Sequence, residues 1–457
     1  QSLTTMLDPT AIFKAYDVRG LVPEQFDAQL SQAIGGAWAR LVQQKEPDTT
    51  TVIVGRDMRP SGPELVAAFT AGVTAQGLDV IDIGLCSTDM MYFASGHLNL
   101  PGTVFTASHN PAGYNGIKFC LSAARPVALD TGLDQVRDQI QTGVPTGPGG
   151  GEVTHQDLLA AFADHVCSFI DLPSLRPLKV IADTANGMGG LVVPAVFAHL
   201  PFELEVLYPE LDGTFPNHPA DPIQPENLVA LQQRVRETGA DVGLAFDGDA
   251  DRVFLIDEKS QPISGSLTTA LVAQNMLAQE PAAAIVHNLI CSNVVPEVIA
   301  EGGGRAVRTR VGHSYIKAIM AQENAIFGGE HSGHYYFRDN FFADSGIIAA
   351  LIILQQLAVA EAPLSALVAP FERYTASGEI NTQVENPAQV IDQVAAHYAA
   401  HPQDRMDGLT VRFADWWFNL RPSNTEPLLR LNLEASNPTL CQQGIDEVRQ
   451  LFTNPQP

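Results

Sequence analysis

Cysteine is scarce: Cys86, Cys120, Cys167, Cys291 and Cys441 are scattered over 457 positions with no Cys-x-x-Cys pair. That pattern suits neither a disulfide framework nor a thiolate zinc site, and a reducing compartment, the cytoplasm, is the expected location. Long apolar runs are missing too. The longest, Ile347 to Leu354, stops at Gln355-Gln356, well short of the roughly 20 residues that cross a bilayer. No basic-then-apolar signal segment opens the chain. Positive charge is in short supply, with 26 Lys and Arg against 51 Asp and Glu and a net charge of −25. This excludes nucleic acid and anionic membranes as expected partners. It leaves room for a small anionic substrate met by a local basic cluster.

What is present is a globular composition, 45% hydrophobic and 17% charged, over a length that predicts three or four domains. Residues 1 to about 150 alternate strand and helix signals. Thr51 to Gly55 reads as a buried strand, Pro63 to Gly77 as a helix, Val80 to Gly84 as the next strand and Val104-Phe105 as the end of a third. Such alternation implies right-handed crossovers and a mostly parallel sheet. The Gly- and Pro-rich tract 143–151 reads as a linker.

A second unit follows, with a strand at Leu178 to Ala182, the glycine turn Asn186 to Gly190 and a strand at Asp241 to Phe246. A third runs from Glu258 through a strand at Ala284 to Val286, a strand at Ala306 to Arg310 and a helix at Ser345 to Ala360. The last ~90 residues change character. A helix at Pro387 to Ala400, strands at Thr410 to Phe418 and Leu428 to Leu433, and a closing helix make a small α+β domain. The fold class is therefore α/β, with three related mixed α/β layers and mostly parallel sheets, plus a smaller C-terminal α+β domain. The expected boundaries are 1–150, 151–254, 255–367 and 368–457.

Each unit ends in a polar, glycine-containing loop. Thr106 to Pro111 holds Ser108, with His109 beside it and Lys118 a strand's length downstream. A serine fixed in such a loop can act as a nucleophile or phosphate carrier when something activates it. Asp247, Asp249 and Asp251 alternate after a buried strand, and three carboxylates that close call for a hard cation between them. An EF-hand would place Gly where Arg252 stands and helices where strands are expected, so it does not fit. Magnesium, which pairs protein carboxylates with phosphate oxygens, suits the site better than calcium. Glu330 and Ser332, between glycines, can grip vicinal sugar hydroxyls. His313, His331 and His334 are candidates for proton transfer or hydroxyl contact. Arg421, Ser423, Asn424 and Thr425 gather a guanidinium, two hydroxyls and an amide that can cradle a phosphate.

Four motifs, TASHNP at 106–111, DGDADR at 247–252, GEHSGH at 329–334 and RPSNTEP at 421–427, stand in one order along the chain. In this the sequence resembles the α-D-phosphohexomutases, and among them the bacterial phosphomannomutase/phosphoglucomutase group. The resemblance covers essentially its whole length and implies four domains around a central cleft, which carry the phosphoserine, the metal, the sugar and the distal phosphate in turn. It implies a phosphate on Ser108 and Mg²⁺ held by Asp247, Asp249, Asp251 and that phosphate. It further implies transfer to a hexose monophosphate through a hexose 1,6-bisphosphate, which also serves as activator. His109, Lys118, Arg252 and His313 are the implied catalytic residues, with Lys118 and His313 as acid/base candidates and Arg252 supporting the phosphoserine. Glu330, Ser332 and His334 would bind the sugar. Arg421, Ser423, Asn424 and Thr425 would bind the non-reacting phosphate, with Tyr16 and Arg19 nearby.

VGHS at 311–314 and Asn424 resemble the mannose/glucose group, and His331 stands where Met is common in dual-specificity relatives and Gln in phosphoglucosamine mutases. A lysine common near Ile290 is absent. Mannose and glucose phosphates are the expected substrates and a monomer or weak dimer the expected state. A phosphoglucosamine mutase, a non-catalytic sugar-phosphate binder and a phosphatase are the alternatives.

Overall fold

The computed structural model describes residues 5–423 and 426–453. It divides into two compact units, residues 1–264 with 333–367 and residues 265–332 with 368–457.

The first unit holds two sheets. In the larger, the strands Thr51–Arg56, Asp79–Leu85, Gly102–Phe105 and Val153–His155 run parallel. Tyr114–Leu121 is antiparallel to Gly102–Phe105 and carries Val18–Leu21 on its far edge. Val52, Val54, Val80, Phe105 and Ile117 pack with Trp38 and Phe69 in one buried core. β-Branched residues buried on both faces are what a parallel sheet sandwiched by helices requires. The helix Ala28–Lys45 covers one face, opened by Asp27, whose side chain accepts from the Leu30 N–H. The tract read as a linker leads straight into Val153–His155, the edge strand of this sheet. It is held along the way, with the Gly149 and Gly151 N–H groups donating to the carbonyls of Ala75 and Thr74.

In the second sheet, Lys179–Asp183 lies parallel to both Glu203–Leu207 and Val242–Phe246. Val242–Phe246 then turns back antiparallel into Val253–Ile256. The helix Gly346–Val359 returns to this unit late in the chain. It is almost wholly buried and capped by Ser345, whose side chain accepts from the Ile348 N–H. Among the described residues no single helix is long and apolar enough to cross a membrane.

In the second unit, Ala284–Asn288 lies parallel to both Arg305–Thr309 and Phe327–Gly329. A separate antiparallel sheet has the order Thr375–Gln383, Leu428–Ala435, Trp416–Pro422, Leu409–Arg412, Gln403–Asp404. Three mixed or parallel sheets and one antiparallel sheet match the expected fold class.

The C-terminal detail differs from the sequence reading in two ways. The single strand expected over Thr410 to Phe418 is two strands, because the Phe413 N–H turns back to the Trp416 carbonyl. As a result Asn419, Leu420 and Arg421 sit in a strand rather than in the loop. The strand Thr375–Gln383 was not expected: its alternation is of exposed and half-exposed residues, and a register shift interrupts it.

Candidate functional site

Ser108 follows the strand Gly102–Phe105 and takes a left-handed backbone, φ 53°, which is costly for a residue with a Cβ and marks a loop held by its surroundings. Much of that hold comes from Arg59. Its guanidinium, 1% exposed, donates to the carbonyls of Ser108 (3.1 Å), Asn110 (2.8 Å), Pro111 (2.8 Å) and Tyr114 (2.9 Å), and pairs with Asp57. A buried charge survives only when its donors are used. Here they lock the whole loop.

The acidic loop lies at the turn of the antiparallel hairpin Val242–Phe246 and Val253–Ile256, a strand context that excludes an EF-hand. Glu258, at the position an EF-hand would use, instead accepts from the Ser365 N–H at 2.8 Å. Asp247, Asp249 and Asp251 are all buried, with ligand oxygens within 4.8 Å of one another. The Ser108 hydroxyl lies 3.4 Å from Asp247 Oδ2, so the loop puts hydroxyl and carboxylates in one place. Arg252 donates from Nε to the same Oδ2 at 2.8 Å and from Nη2 to His109 Nδ1 at 2.8 Å. Since a guanidinium can only donate, His109 Nδ1 is the acceptor and the ring proton sits on Nε2. Burial, then Arg252 and Arg19, push the His109 pKa down to about 3, so the ring is neutral.

Lys118 donates to Asp249 Oδ2 (2.7 Å) and Asp251 Oδ2 (3.0 Å). Burial works against its charge, but the two carboxylates override it and hold the amine protonated. Burial likewise opposes ionisation of Asp249, yet Lys118 and Thr88 keep it well below the usual carboxylate range. Asp247 and Asp251 are pushed up by burial and by Asp249. Oδ1 of Asp249 and Oδ1 of Asp251 are buried with no hydrogen-bond partner among the described residues. Bare, clustered carboxylate oxygens are the donor set of a hard divalent cation, and these three residues can hold one.

His334, expected at the sugar, is half-buried. Its ring lies with Asp251 and Asp344 in a second group whose ligand atoms are within 4.8 Å of one another. Arg19 is at the serine loop, where Nη1 donates to Asn110 Oδ1 at 2.7 Å, and Asp17 takes its Nη2. Tyr16 is half-buried just before it.

In the second unit, Glu330 follows the strand Phe327–Gly329 and is 4% exposed. Asn288 ends the neighbouring strand, and its Oδ1 accepts from the Cys291 N–H, which fixes which way its amide faces. Its Nδ2 therefore donates to His331 Nδ1 at 3.0 Å and faces Glu330 Oε2 at 3.4 Å. His331 thus carries its proton on Nε2. Burial and the Arg421 charge lower its pKa to about 4, leaving a neutral donor beside Glu330. Arg421 is near the end of Trp416–Pro422, with Nη1 3.7 Å from Asp407 Oδ2. The Ser423 N–H donates to the Leu428 carbonyl. His313 begins the helix His313–Glu323, and Ser332 is half-buried after His331. Asn424 and Thr425 lie outside the described residues.

His287, 5% exposed, is held neutral by burial with a pKa near 4. The unfolded histidine, with a pKa near 6.5, takes up a proton first as the pH falls, so the native state loses this contribution between about pH 6.5 and 4. Compared with a His287→Asn variant, wild type should therefore lose about 2 kcal/mol of relative stability between pH 7 and 5. Paired denaturant melts at the two pH values check this, and a pH-independent difference would contradict it.

Arg59, Thr88, Asn288 and Asp344 are site residues that the sequence reading missed. Only Arg59 had a visible signal, a second arginine in the turn after the buried strand Thr51–Arg56.

Comparison with known proteins identifies the family. Four family models match in order: phosphoglucomutase/phosphomannomutase alpha/beta/alpha domain I over residues 10–145, domain II over 160–261, domain III over 264–374 and the C-terminal domain over 379–451. A protein named as phosphohexose mutases from Xanthomonas campestris pv. campestris is 42% identical over 447 residues, covering 96% of this chain and 98% of its own. A phosphomannomutase from Salmonella montevideo is 39% identical, covering 97% of this chain and 99% of its own. The crystal structure of a phosphoglucomutase/phosphomannomutase family protein from Burkholderia thailandensis superposes with a TM-score of 0.90 at 31% identity, covering 98% of this chain and 97% of that one. Serine loop, carboxylate triad and four matching domains together make this chain a member of the phosphoglucomutase/phosphomannomutase family, a phosphohexomutase and so an isomerase.

Proposed function

We propose that this phosphohexomutase interconverts the 6- and 1-phosphates of mannose and of glucose through a phosphoserine at Ser108. The observation that carries this reading is the Ser108 hydroxyl 3.4 Å from Asp247, beside two buried carboxylate oxygens left for a cation. Mg²⁺ held by Asp247, Asp249 and Asp251 would supply charge neutralisation at the phosphoryl group.

The residues of the chain then divide the work. In the forward transfer the P–O bond to Ser108 breaks as a bond forms from phosphorus to the sugar hydroxyl oxygen, whose proton leaves to a base. The product of that step is a hexose 1,6-bisphosphate, and the same compound primes an unphosphorylated Ser108. Lys118, whose ammonium is hydrogen-bonded to Asp249 and Asp251, fits the acid that protonates the departing serine oxygen. His313 is the candidate base. His109, with its Nδ1 lone pair given to Arg252, fits a neutral spacer that aims the guanidinium at the phosphoserine. Glu330, Ser332 and the Nε2–H of His331 would grip sugar hydroxyls, and Arg421 with Ser423, Asn424 and Thr425 the phosphate that does not react.

The test is a coupled assay with mannose 1-phosphate, glucose 1-phosphate and glucosamine 6-phosphate, in Mg²⁺ and a catalytic amount of hexose 1,6-bisphosphate. Turnover of the first two is expected. Turnover of the amino sugar alone would make the enzyme a phosphoglucosamine mutase. Release of inorganic phosphate alone would make it a phosphatase, and binding with no turnover a sugar-phosphate binder.

Arg421→Ala should raise KM for hexose phosphates by roughly 10- to 100-fold, the value of a charged hydrogen bond, with a smaller change in kcat. Unchanged KM in steady-state kinetics would remove Arg421 from the cradle.

A further inference from the structure

The helix Thr88–Leu98 opens on a turn with no role yet beyond the Thr88 bond to Asp249. Ser87, Thr88 and Asp89 are each 0% exposed, which three polar side chains tolerate only if each is satisfied. Ser87 caps the helix by accepting from the Met90 N–H and donates its own proton to Asp89. Asp89 also accepts from the hydroxyl of Ser345 at 2.8 Å, the residue that caps Gly346–Val359. The turn is thus anchored at both sides.

Thr88 faces the acidic loop. Its hydroxyl donates to Asp249 Oδ2 at 2.7 Å, and its backbone N–H donates to the Asp249 carbonyl at 3.1 Å. One residue therefore fixes both the main chain and the side chain of Asp249. Lys118 shares that same Oδ2 at 2.7 Å, while Oδ1 has no hydrogen-bond partner among the described residues. A carboxylate with one oxygen pinned by two donors can present the other in only one direction. Lys118 alone would not set it, because its ammonium is divided between Asp249 and Asp251.

We propose that Thr88 is a positioning residue for the cation, its hydroxyl holding Asp249 Oδ2 so that Oδ1 is aimed at the ion. The proposal rests on the reading of Asp247, Asp249 and Asp251 as the metal site. Donors that orient metal ligands in this way change affinity by about 10- to 100-fold when removed.

Thr88→Val keeps the side-chain shape and the backbone N–H but loses the hydroxyl, and Thr88→Ser restores it. Mn²⁺ titration of the full-length protein without sugar phosphate, followed by the loss of free-ion spin resonance, should give a Kd about 10- to 100-fold weaker for Thr88→Val. Thr88→Ser should bind within a few-fold of wild type. In kinetics the Mg²⁺ concentration for half activation should rise in parallel, while the rate at saturating Mg²⁺ recovers, a split that a general loss of structure would not produce. Melting in chelator checks that the variant is folded, and Thr88→Ala takes its place if the valine is not accommodated. Wild-type Mn²⁺ affinity in both Thr88→Val and Thr88→Ala overturns the role of Thr88 alone. Wild-type protein that binds no Mn²⁺, or binds it equally after Asp251→Asn, overturns the metal site and the proposal with it.

Discussion

Ser108→Ala is expected to lower kcat by ~10⁴-fold or more, the scale at which removal of a covalent nucleophile is felt, while binding of hexose phosphate and of Mn²⁺ survives. The reason is local. The hydroxyl is the one group of that side chain directed at the triad, and the Arg59 bonds that shape the loop go to backbone carbonyls, which alanine keeps. Alanine also tolerates the left-handed backbone no worse than serine does. The variant should therefore be folded, metal-competent and inert. Intact mass gives a second readout: incubation with hexose 1,6-bisphosphate should add one phosphoryl group to wild type and none to the variant. Near-normal turnover, or phosphorylation elsewhere in the variant, would take the nucleophile away from Ser108.

The candidate site was legible in the sequence where it is carried by neighbours along the chain. Asp247, Asp249 and Asp251 announce a cation because three carboxylates in five positions repel. Ser108 and His109 stand out between a buried strand and Pro111. What could not be read is the support supplied from far away. Arg59 reaches Ser108 across 49 positions and Thr88 reaches Asp249 across 161, and neither belongs to a local pattern. His334 follows Glu330 and Ser332 closely in sequence, yet its side chain groups with Asp251 and Asp344. Nothing in GEHSGH signals that the chain changes compact unit inside the motif, at residues 332–333.

Strand legibility followed the same physics. Val242–Phe246, buried at every position, could not be missed. Thr375–Gln383, with no buried position, offered no hydrophobic alternation to read. The break between Leu409–Arg412 and Trp416–Pro422 was hidden because the apolar Phe413 and Trp416 flank the turn and stack on each other, centroids 3.9 Å apart. Apolar residues on both sides of so short a turn make a hairpin read as one strand.

Gly248→Ala carries the other large expected effect, although it adds one methyl group and touches no reacting atom. A Cβ at this position would lie 2.3 Å from the Ser108 carbonyl oxygen, far inside van der Waals contact, and the atom it meets is backbone. Neither side can yield cheaply. The Ser108 carbonyl is held by Arg59, and the acidic loop is backed by Gly187, where an added Cβ would itself lie 2.8 Å from the Gly248 carbonyl. Relief therefore requires the serine loop and the acidic loop to separate by about 1 Å, and a displacement of that size between reacting groups costs ~10²-fold in rate. Metal affinity should fall far less, because Asp249 remains bonded to Thr88 and Lys118. Loss of stability should be about 1–3 kcal/mol, the usual penalty for overpacking. The discriminating measurement is the transfer of phosphoryl from hexose 1,6-bisphosphate to Ser108, followed by intact mass against time. Slow phosphorylation with near-normal Mn²⁺ binding is the predicted signature. Wild-type phosphorylation kinetics in a folded Gly248→Ala protein would show that the close contact between the two loops is not what brings the serine to the carboxylates.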